Sequence, residues 1–439
     1  DPPPAIHGNP WAPPQLGGIG EYVCDRLFEY APYPEAKFIP MLAESFEEAD
    51  SKTTIHLRKG VTWSDGLPFT SKDVICTYYL GFAAGWPMWK YADTIEAPDD
   101  YTVIINWRKP GPILSIMAFN NLIIGPHHIF GKWGDQLAPL TALRDEQGKV
   151  DEETNKLVTE IKEDLYNFKP AITDVVGTAA YTVSNVTASE AILVKREDSW
   201  CGDRVKVDRV RLQRYVSLEA YLSNVMAGAY DAEPHGLTTD VFAQIEKNHP
   251  DMKVVWVPEY AQPSMQFNIR KYPVNDPRVR KAIMYAIDKE ALLPIAEPGT
   301  HMPDTYATGL VPSVRDAWFD EDFMATLEDY AYNPAKAEAL LEEVGWTRDS
   351  AGFWRDADGK QVEIELASMN SWPIFFLCGD AITNMLNEFG IKAEFKAMEL
   401  SAYWDYLNQG QATISFDFRS GAPTYGFPWE IYRNIYVDG

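Results

Sequence analysis

Aromatic rings on turns are the residues in this chain best placed by type and spacing to meet a ligand. Trp11 lies in "NPWAPP", Trp86 and Trp89 in "GWPMWK", Trp372 in "MNSWP" and Trp429 in "GFPWEIY". A ring beside Pro and Gly sits on a loop, where it faces a cleft more often than a ring inside an amphipathic helix does. Its flat apolar face matches the CH face of a pyranose, and neighbouring Asn, Asp and Arg satisfy the sugar hydroxyls. Core packing is still the ordinary fate of a large ring, and most of the 14 Trp, 23 Tyr and 20 Phe are expected there.

Covalent chemistry has no matching signature. There is no G-x-S-x-G elbow, H-E-x-x-H helix, Walker A loop or G-x-G-x-x-G after a strand. The nearest glycine cluster, Gly17-Gly18-Ile19-Gly20, has the wrong spacing and no preceding strand. Carboxylate pairs such as Asp99-Asp100 and Glu47-Glu48 are inevitable among 64 acidic residues. A secreted glycosidase, needing two carboxylates across a cleft, is therefore the remote alternative. Cys24, Cys76, Cys201 and Cys378 are widely separated and make no C-x-x-C pair, so they read as isolated thiols, with one long-range bridge still possible. His127-His128 is expected on a strand, where adjacent side chains point to opposite faces and do not share a metal. No metal and no cofactor are expected.

At 439 residues the chain needs two or three structural units. Its 46% apolar and 23% charged residues are the mix of a folded protein. With 64 Asp and Glu against 39 Lys and Arg, the formal charge of −25 repels phosphate backbones and anionic membranes. No run of eighteen apolar residues occurs. Asp1-Pro2-Pro3-Pro4 has neither a basic start nor a hydrophobic run, and an export signal is expected to have been removed.

The elements that must position these rings are legible in part. Ile19 to Tyr30 reads as a helix packing Val23, Leu27 and Phe28. Around "LRKGVTWSDGLPFTSKDV" a half-buried strand, with Ile55 and Leu57 alternating with His56 and Arg58, runs into the Asp65-Gly66 turn, then into a helix from Lys72 capped by Ser71. The charged stretch from Arg144 to Asp164 reads as a solvated helix or loop. Asp276 and Pro277 open a helix whose Val279, Ala282, Ile283, Ala286 and Ile287 share a face. The strand "VEIELASMN", a helix carrying Ile374, Leu377, Cys378, Ala381, Ile382, Met385, Leu386 and Phe389, and a strand from Ile391 make a βαβ unit.

Together these segments resemble the family 5 extracellular solute-binding proteins of ABC importers. "LRKGVTWSDGLPFTSKDV" is similar to the family's signature segment. "FIPMLAESFE" resembles its P-x-L-A-E-S lead-in, and "VVGTAAYTVSN" its GTGPY strand, with Ala179-Ala180 where Gly-Pro is usual. "VKVDRVRLQRY", "MAGAYD", "FNIRKYPVNDPRVRKAIMYAIDKEAL" and "NEFGIKAEFKAMELSAYWDYLNQG" follow in family order, from Phe38 to about Gly410. The resemblance implies an α/β, bilobal periplasmic-binding-protein-like fold, type II and cluster C, with an extra subdomain inserted in the N-terminal lobe. Residues 1–43 and 171–257 would form lobe I, residues 44–170 the inserted subdomain, and residues 258–439 lobe II. Family members usually continue further, so lobe II is expected to be incomplete here, with its return to lobe I missing.

The resemblance also implies a function: a monomeric, extracytoplasmic subunit, periplasmic or lipid-anchored, that closes on a ligand and delivers it to a membrane permease. Peptide binders of the family carry a GW-x-x-DY stretch whose Asp pairs with the peptide ammonium. Here "DFRSGAPTYGFPWEIYRN" has Ala-Pro-Thr-Tyr instead, which is closer to the sugar-binding branch. An oligosaccharide of the β-glucan, mannan or chitin type is the favoured ligand, and an oligopeptide the alternative. By the same resemblance Trp372 is the stacking platform, Trp11 an opposing contact and Asn9 a hydroxyl partner, with Arg419, Tyr425 and Trp429 as further contacts.

Overall fold

The computed structural model describes residues 7–13, 16–31, 37–109, 111, 114–119, 123–232, 237–255, 262–295, 304–420 and 432. The chain divides into two compact units, Asp1–Tyr215 and Val216–Gly439. Residues 216–257, read from the sequence as part of the first lobe, group with the second unit by contact.

Unit 1 begins with an antiparallel ribbon of β1 (Phe28–Ala31) and β2 (Lys37–Pro40). A four-stranded antiparallel sheet follows, ordered β3 (Ala43–Ala49), β4 (Lys52–Leu57), β6 (Thr102–Trp107), β5 (Ala92–Asp99). Its third sheet is β7 (Tyr181–Val186), β8 (Glu190–Lys195) and β9 (Arg209–Gln213), also antiparallel. The helix expected over Ile19 to Tyr30 is limited to Gly20–Val23 and a preceding turn; Phe28 starts β1 instead. The chain leaves the helix because Asp25 turns inward, accepting from Trp200 Nε1 at 2.9 Å, and the Val23 carbonyl is used by Ala179 N.

Helix α1 (Ser71–Ala83) shows what the signature segment is for. Its N-cap is Thr70, one residue before the expected Ser71, whose hydroxyl donates instead to the Asp99 carbonyl at 2.7 Å. Asp73 reaches back to Thr70 N at 2.8 Å and also accepts from His127 N at 2.7 Å. One carboxylate thus joins the starts of two helices, the second being α2 (His127–Leu137). His127 and His128 open this helix rather than lying on a strand, and their rings go to different carboxylates, Asp135 and Asp65. Gly66, at φ +87°, makes the turn that carries Asp65. The charged stretch folds as α3 (Glu152–Asn167), capped by Asp151 through Thr154 N.

Two buried groups close the seam between the signature segment and the third sheet. Gly177 exchanges hydrogen bonds with Ser64, donating to its Oγ and accepting from its N at 2.9 Å. Arg196, 6% exposed, spreads its guanidinium over the carbonyls of Thr62, Trp63, Gly177 and Ala179. The signature is therefore a structural latch within unit 1.

Unit 2 holds α4 (Leu218–Met226), α5 (Thr239–Asn248), α6 (Pro277–Ala286) and α7 (Pro334–Glu343), together with a mixed sheet. Asp276 caps α6 through Arg278 N, and the five residues assigned to its apolar face are all buried. Besides a ribbon of β11 (Thr347–Arg348) and β12 (Trp354–Arg355), the sheet runs β10 (Gln262–Phe267), β15 (Ile414–Ser420), β13 (Glu363–Met369), β14 (Lys392–Met398). β13 is parallel to both β14 and β15. Helix α8 (Pro373–Glu388) is the crossover, as the spacing predicts, and α9 (Leu400–Asn408) packs against β13. With helices on the sheet, β13 buries Ile364, Leu366, Ala367, Ser368 and Met369, a nearly continuous run. Cys24, Cys76 and Cys201 are free thiols, and Cys24, Cys76 and Cys378 are buried.

One charged network of unit 2 gives a direct test of the packing. Glu328 accepts from Lys281 Nζ at 2.5 Å and from Tyr285 Oη at 2.8 Å, with Lys336 nearby at 3.3 Å. Chiefly through the Lys281 hydrogen bond, its pKa is pulled down to about 2 from an ordinary 4.5. A carboxyl with a lowered folded-state pKa contributes stability that is present above the unfolded value and lost as pH falls through the folded one. Glu328→Gln is therefore expected to lower the melting temperature at pH 7 by a few degrees at most, since the pair is partly solvated and worth under about 1 kcal/mol. The gap to wild type should close as pH falls from 4.5 towards 2 in a calorimetric series.

Candidate functional site

The parallel strands β13, β14 and β15 end at one edge of the unit 2 sheet, and in α/β sheets ligands meet the chain outside such carboxyl ends. At this edge the chain leaves β13 through Asn370, Ser371 and Trp372 before α8 begins at Pro373. Asn370 N is held by the Met398 carbonyl at 2.8 Å, which fixes the turn to the end of β14. Trp372 has extended backbone at the N-cap, and its carbonyl accepts from Phe375 N and Phe376 N. Pro373 suits the first helical position because it lacks an N–H.

The Trp372 side chain is 43% exposed. Its ring lies nearly parallel to Phe375, 5.5 Å between centroids and 19° between planes. Phe418, from β15, stands 5.7 Å away at 53°. Beside the indole, the Asn370 side chain is exposed, and the buried Ser371 Oγ has no hydrogen-bond partner among the described residues. Behind the edge, Tyr403 donates its hydroxyl to Asp417, a carboxylate 1% exposed on β15. The arrangement offers a partly exposed apolar face with an exposed carboxamide two residues before it. Among the described residues, no group of three or more His, Cys, Asp or Glu could hold a metal ion.

Trp11 and Asn9 lie in unit 1 and are both buried. The Asn9 carboxamide donates to the carbonyls of Leu165 at 2.7 Å and Phe168 at 2.9 Å, and its oxygen accepts from Trp11 N at 2.9 Å. With no exposed surface and both amide hydrogens in use, Asn9 anchors the N-terminal segment to the end of α3 and is no hydroxyl partner. Trp11, 9% exposed, packs 5.5 Å from Trp86 in a core with Phe130 and Trp133, so its ring has no free face for an opposing contact. The run of Pro residues after Trp11 marks a loop, but a loop lying under α2 and α3 is a buried one. Arg419 is on β15, and its side chain lies outside the described portion, as do Tyr425 and Trp429 entirely. Phe375 and Phe418 were not singled out from the sequence. The signals were present: Phe375 is one helical turn from Trp372, and Phe416 and Phe418 alternate on one strand face.

Residues 37–438 match the family described as bacterial extracellular solute-binding proteins, family 5 middle. Among sequence relatives, the oligopeptide-binding protein AppA of Bacillus subtilis is 20% identical over 375 residues, 84% of this chain and 62% of that protein. The dipeptide-binding protein of Escherichia coli is 23% identical over 346 residues, 73% of this chain and 57% of that protein. The chain thus spans about three-fifths of the length of the curated relatives it matches. A mannohexaose-bound periplasmic oligopeptide-binding protein of Thermotoga maritima superimposes with a TM-score of 0.75 at 22% identity, covering 98% of this chain and 76% of that one. AppA of Bacillus subtilis in complex with a nonapeptide gives 0.72 at 18%, covering 97% and 79%. These likenesses identify the fold as the two-lobed, type II α/β fold of periplasmic binding proteins. By the extent of the family match, the chain belongs to the family 5 bacterial extracellular solute-binding proteins.

Proposed function

We propose that this chain is the ligand-capturing part of an extracytoplasmic ABC-importer subunit, and that its ligand is an oligosaccharide held by hinge closure for delivery to a membrane permease. The carrying observation is Trp372: an exposed indole at the carboxyl ends of the parallel strands, ring-backed on one side, with the exposed Asn370 two residues before it. An aromatic plane with adjacent hydrogen-bonding groups suits a pyranose, which is apolar on its faces and polar at its rim. Support also comes from the mannohexaose-bound fold neighbour. The nonapeptide-bound neighbour and the peptide-binding relatives keep an oligopeptide as the second reading. No described helix is long and apolar enough to cross a membrane.

Thermal-shift screening separates the two. Cellohexaose, mannohexaose and chitohexaose should be compared with penta- to nonapeptides, since a ligand at a hundred times its Kd adds about 2.7 kcal/mol to stability. A rise in melting temperature with at least one sugar and none of the peptides is expected; the reverse pattern overturns the sugar reading. Trp372→Ala should weaken the responding sugar by about 10- to 100-fold, or about 1.4 to 2.7 kcal/mol, because truncating a well-placed ring removes both area and stacking.

A further inference from the structure

An indole at a solvent-exposed turn ordinarily samples several rotamers. Trp372 does not stand alone, however. Phe375 behind it is fully buried and edge-on to Phe418, 4.6 Å between centroids at 72°. Phe375 also meets Phe416 at 6.0 Å and 84°. Phe418 is thus the one ring of this group that is half-buried, touches both Trp372 and Phe375, and rides on a different element, β15.

Resting on the reading of Trp372 as the ligand platform, we infer that Phe418 is a positioning residue: it selects the Trp372 rotamer that lies flat on Phe375, and so presents the indole face ready-made. Without the Phe418 ring, the indole is free to swing off Phe375 towards the space vacated on β15. Ordering it again falls on the ligand, since the free energy of fixing a loose side chain is subtracted from binding. Leu in place of Phe418 keeps an apolar group on the sheet but removes the planar wall. Tyr keeps the wall.

The test is a double-mutant cycle read alongside near-UV circular dichroism. Phe418→Leu is expected to lower affinity for the responding hexasaccharide (cellohexaose, mannohexaose or chitohexaose) about 3- to 10-fold. It should also shift the near-UV spectrum in the direction of Trp372→Ala, while Phe418→Tyr retains both wild-type affinity and spectrum. In a Trp372→Ala background, Phe418→Leu should change affinity no further. If Trp372→Ala itself leaves affinity unchanged, the platform reading fails and the inference falls with it. If Trp372→Ala weakens binding but Phe418→Leu costs the same factor with and without Trp372, or leaves the spectrum untouched, the platform stands and the positioning role of Phe418 is overturned.

Discussion

Gly177→Ala is expected to be among the most damaging single substitutions in unit 1. A Cβ at this position would lie 1.7 Å from the Val23 carbonyl oxygen and 2.7 Å from its carbon. The obstacle is backbone, so no rotamer change relieves it. Retreat is blocked on three sides: Ser64 holds both Gly177 N and its carbonyl, Arg196 also binds that carbonyl at 3.0 Å, and the Val23 oxygen receives Ala179 N. Overpacking usually costs about 1–3 kcal/mol where neighbours give way. Here they cannot, and a loss on the order of 4 kcal/mol or more is expected. Urea unfolding monitored by circular dichroism should show a much lower midpoint. An unchanged midpoint would mean that the Val23 and Gly177 segments separate freely, contrary to the contacts described above.

Arg196→Met should cost nearly as much for a different reason. The guanidinium donates to the carbonyls of Gly177 at 3.0 Å, Trp63 at 3.2 Å, Ala179 at 3.3 Å and Thr62 at 3.5 Å, and pairs with Asp198 at 3.2 Å. Met keeps most of the length and apolar contact, yet supplies no donor: the Gly177 and Trp63 carbonyls keep Ser64 N and Gly66 N, but those of Ala179 and Thr62 lose the guanidinium at about 1–3 kcal/mol each. The ion pair is the lesser part, because the Asp198 side chain is 64% exposed. Asp198→Asn should consequently cost under about 1 kcal/mol. Equal losses from the two substitutions in denaturant titration would show that charge pairing, not carbonyl satisfaction, holds the seam.

How far the sequence foretold these features depends on whether local pattern or distant contact decides them. The α6 face and the β13–α8–β14 crossover were readable because buried positions recur at the helix period and Asp276-Pro277 marks a start. At Ile19 to Tyr30 the same periodicity misled, since Asp25 is drawn into a contact with Trp200, 175 residues away. His127-His128 was misassigned for a similar reason: Asp73, 54 residues back, supplies the acceptor that lets a helix begin there without a cap of its own. Of the proposed contacts, Trp372 lies on an exposed turn, as its Pro-flanked sequence suggests, because that turn is local to one βα junction. Asn9 and Trp11 read as loop residues, and what buries them is a helix more than 140 residues later in the chain. Sequence spacing shows that a residue is on a turn, whereas packing from remote elements decides whether the turn meets solvent.

Isothermal titration of the intact chain and its Trp372→Ala variant, with the three hexasaccharides and with a nonapeptide, tests the central claim most directly. The account predicts saturable binding of at least one sugar by the wild type, at least tenfold weaker binding by the variant, no heat from the peptide, and the sugar recovered uncut. Tight peptide binding that is indifferent to Trp372, with every sugar silent, would contradict it.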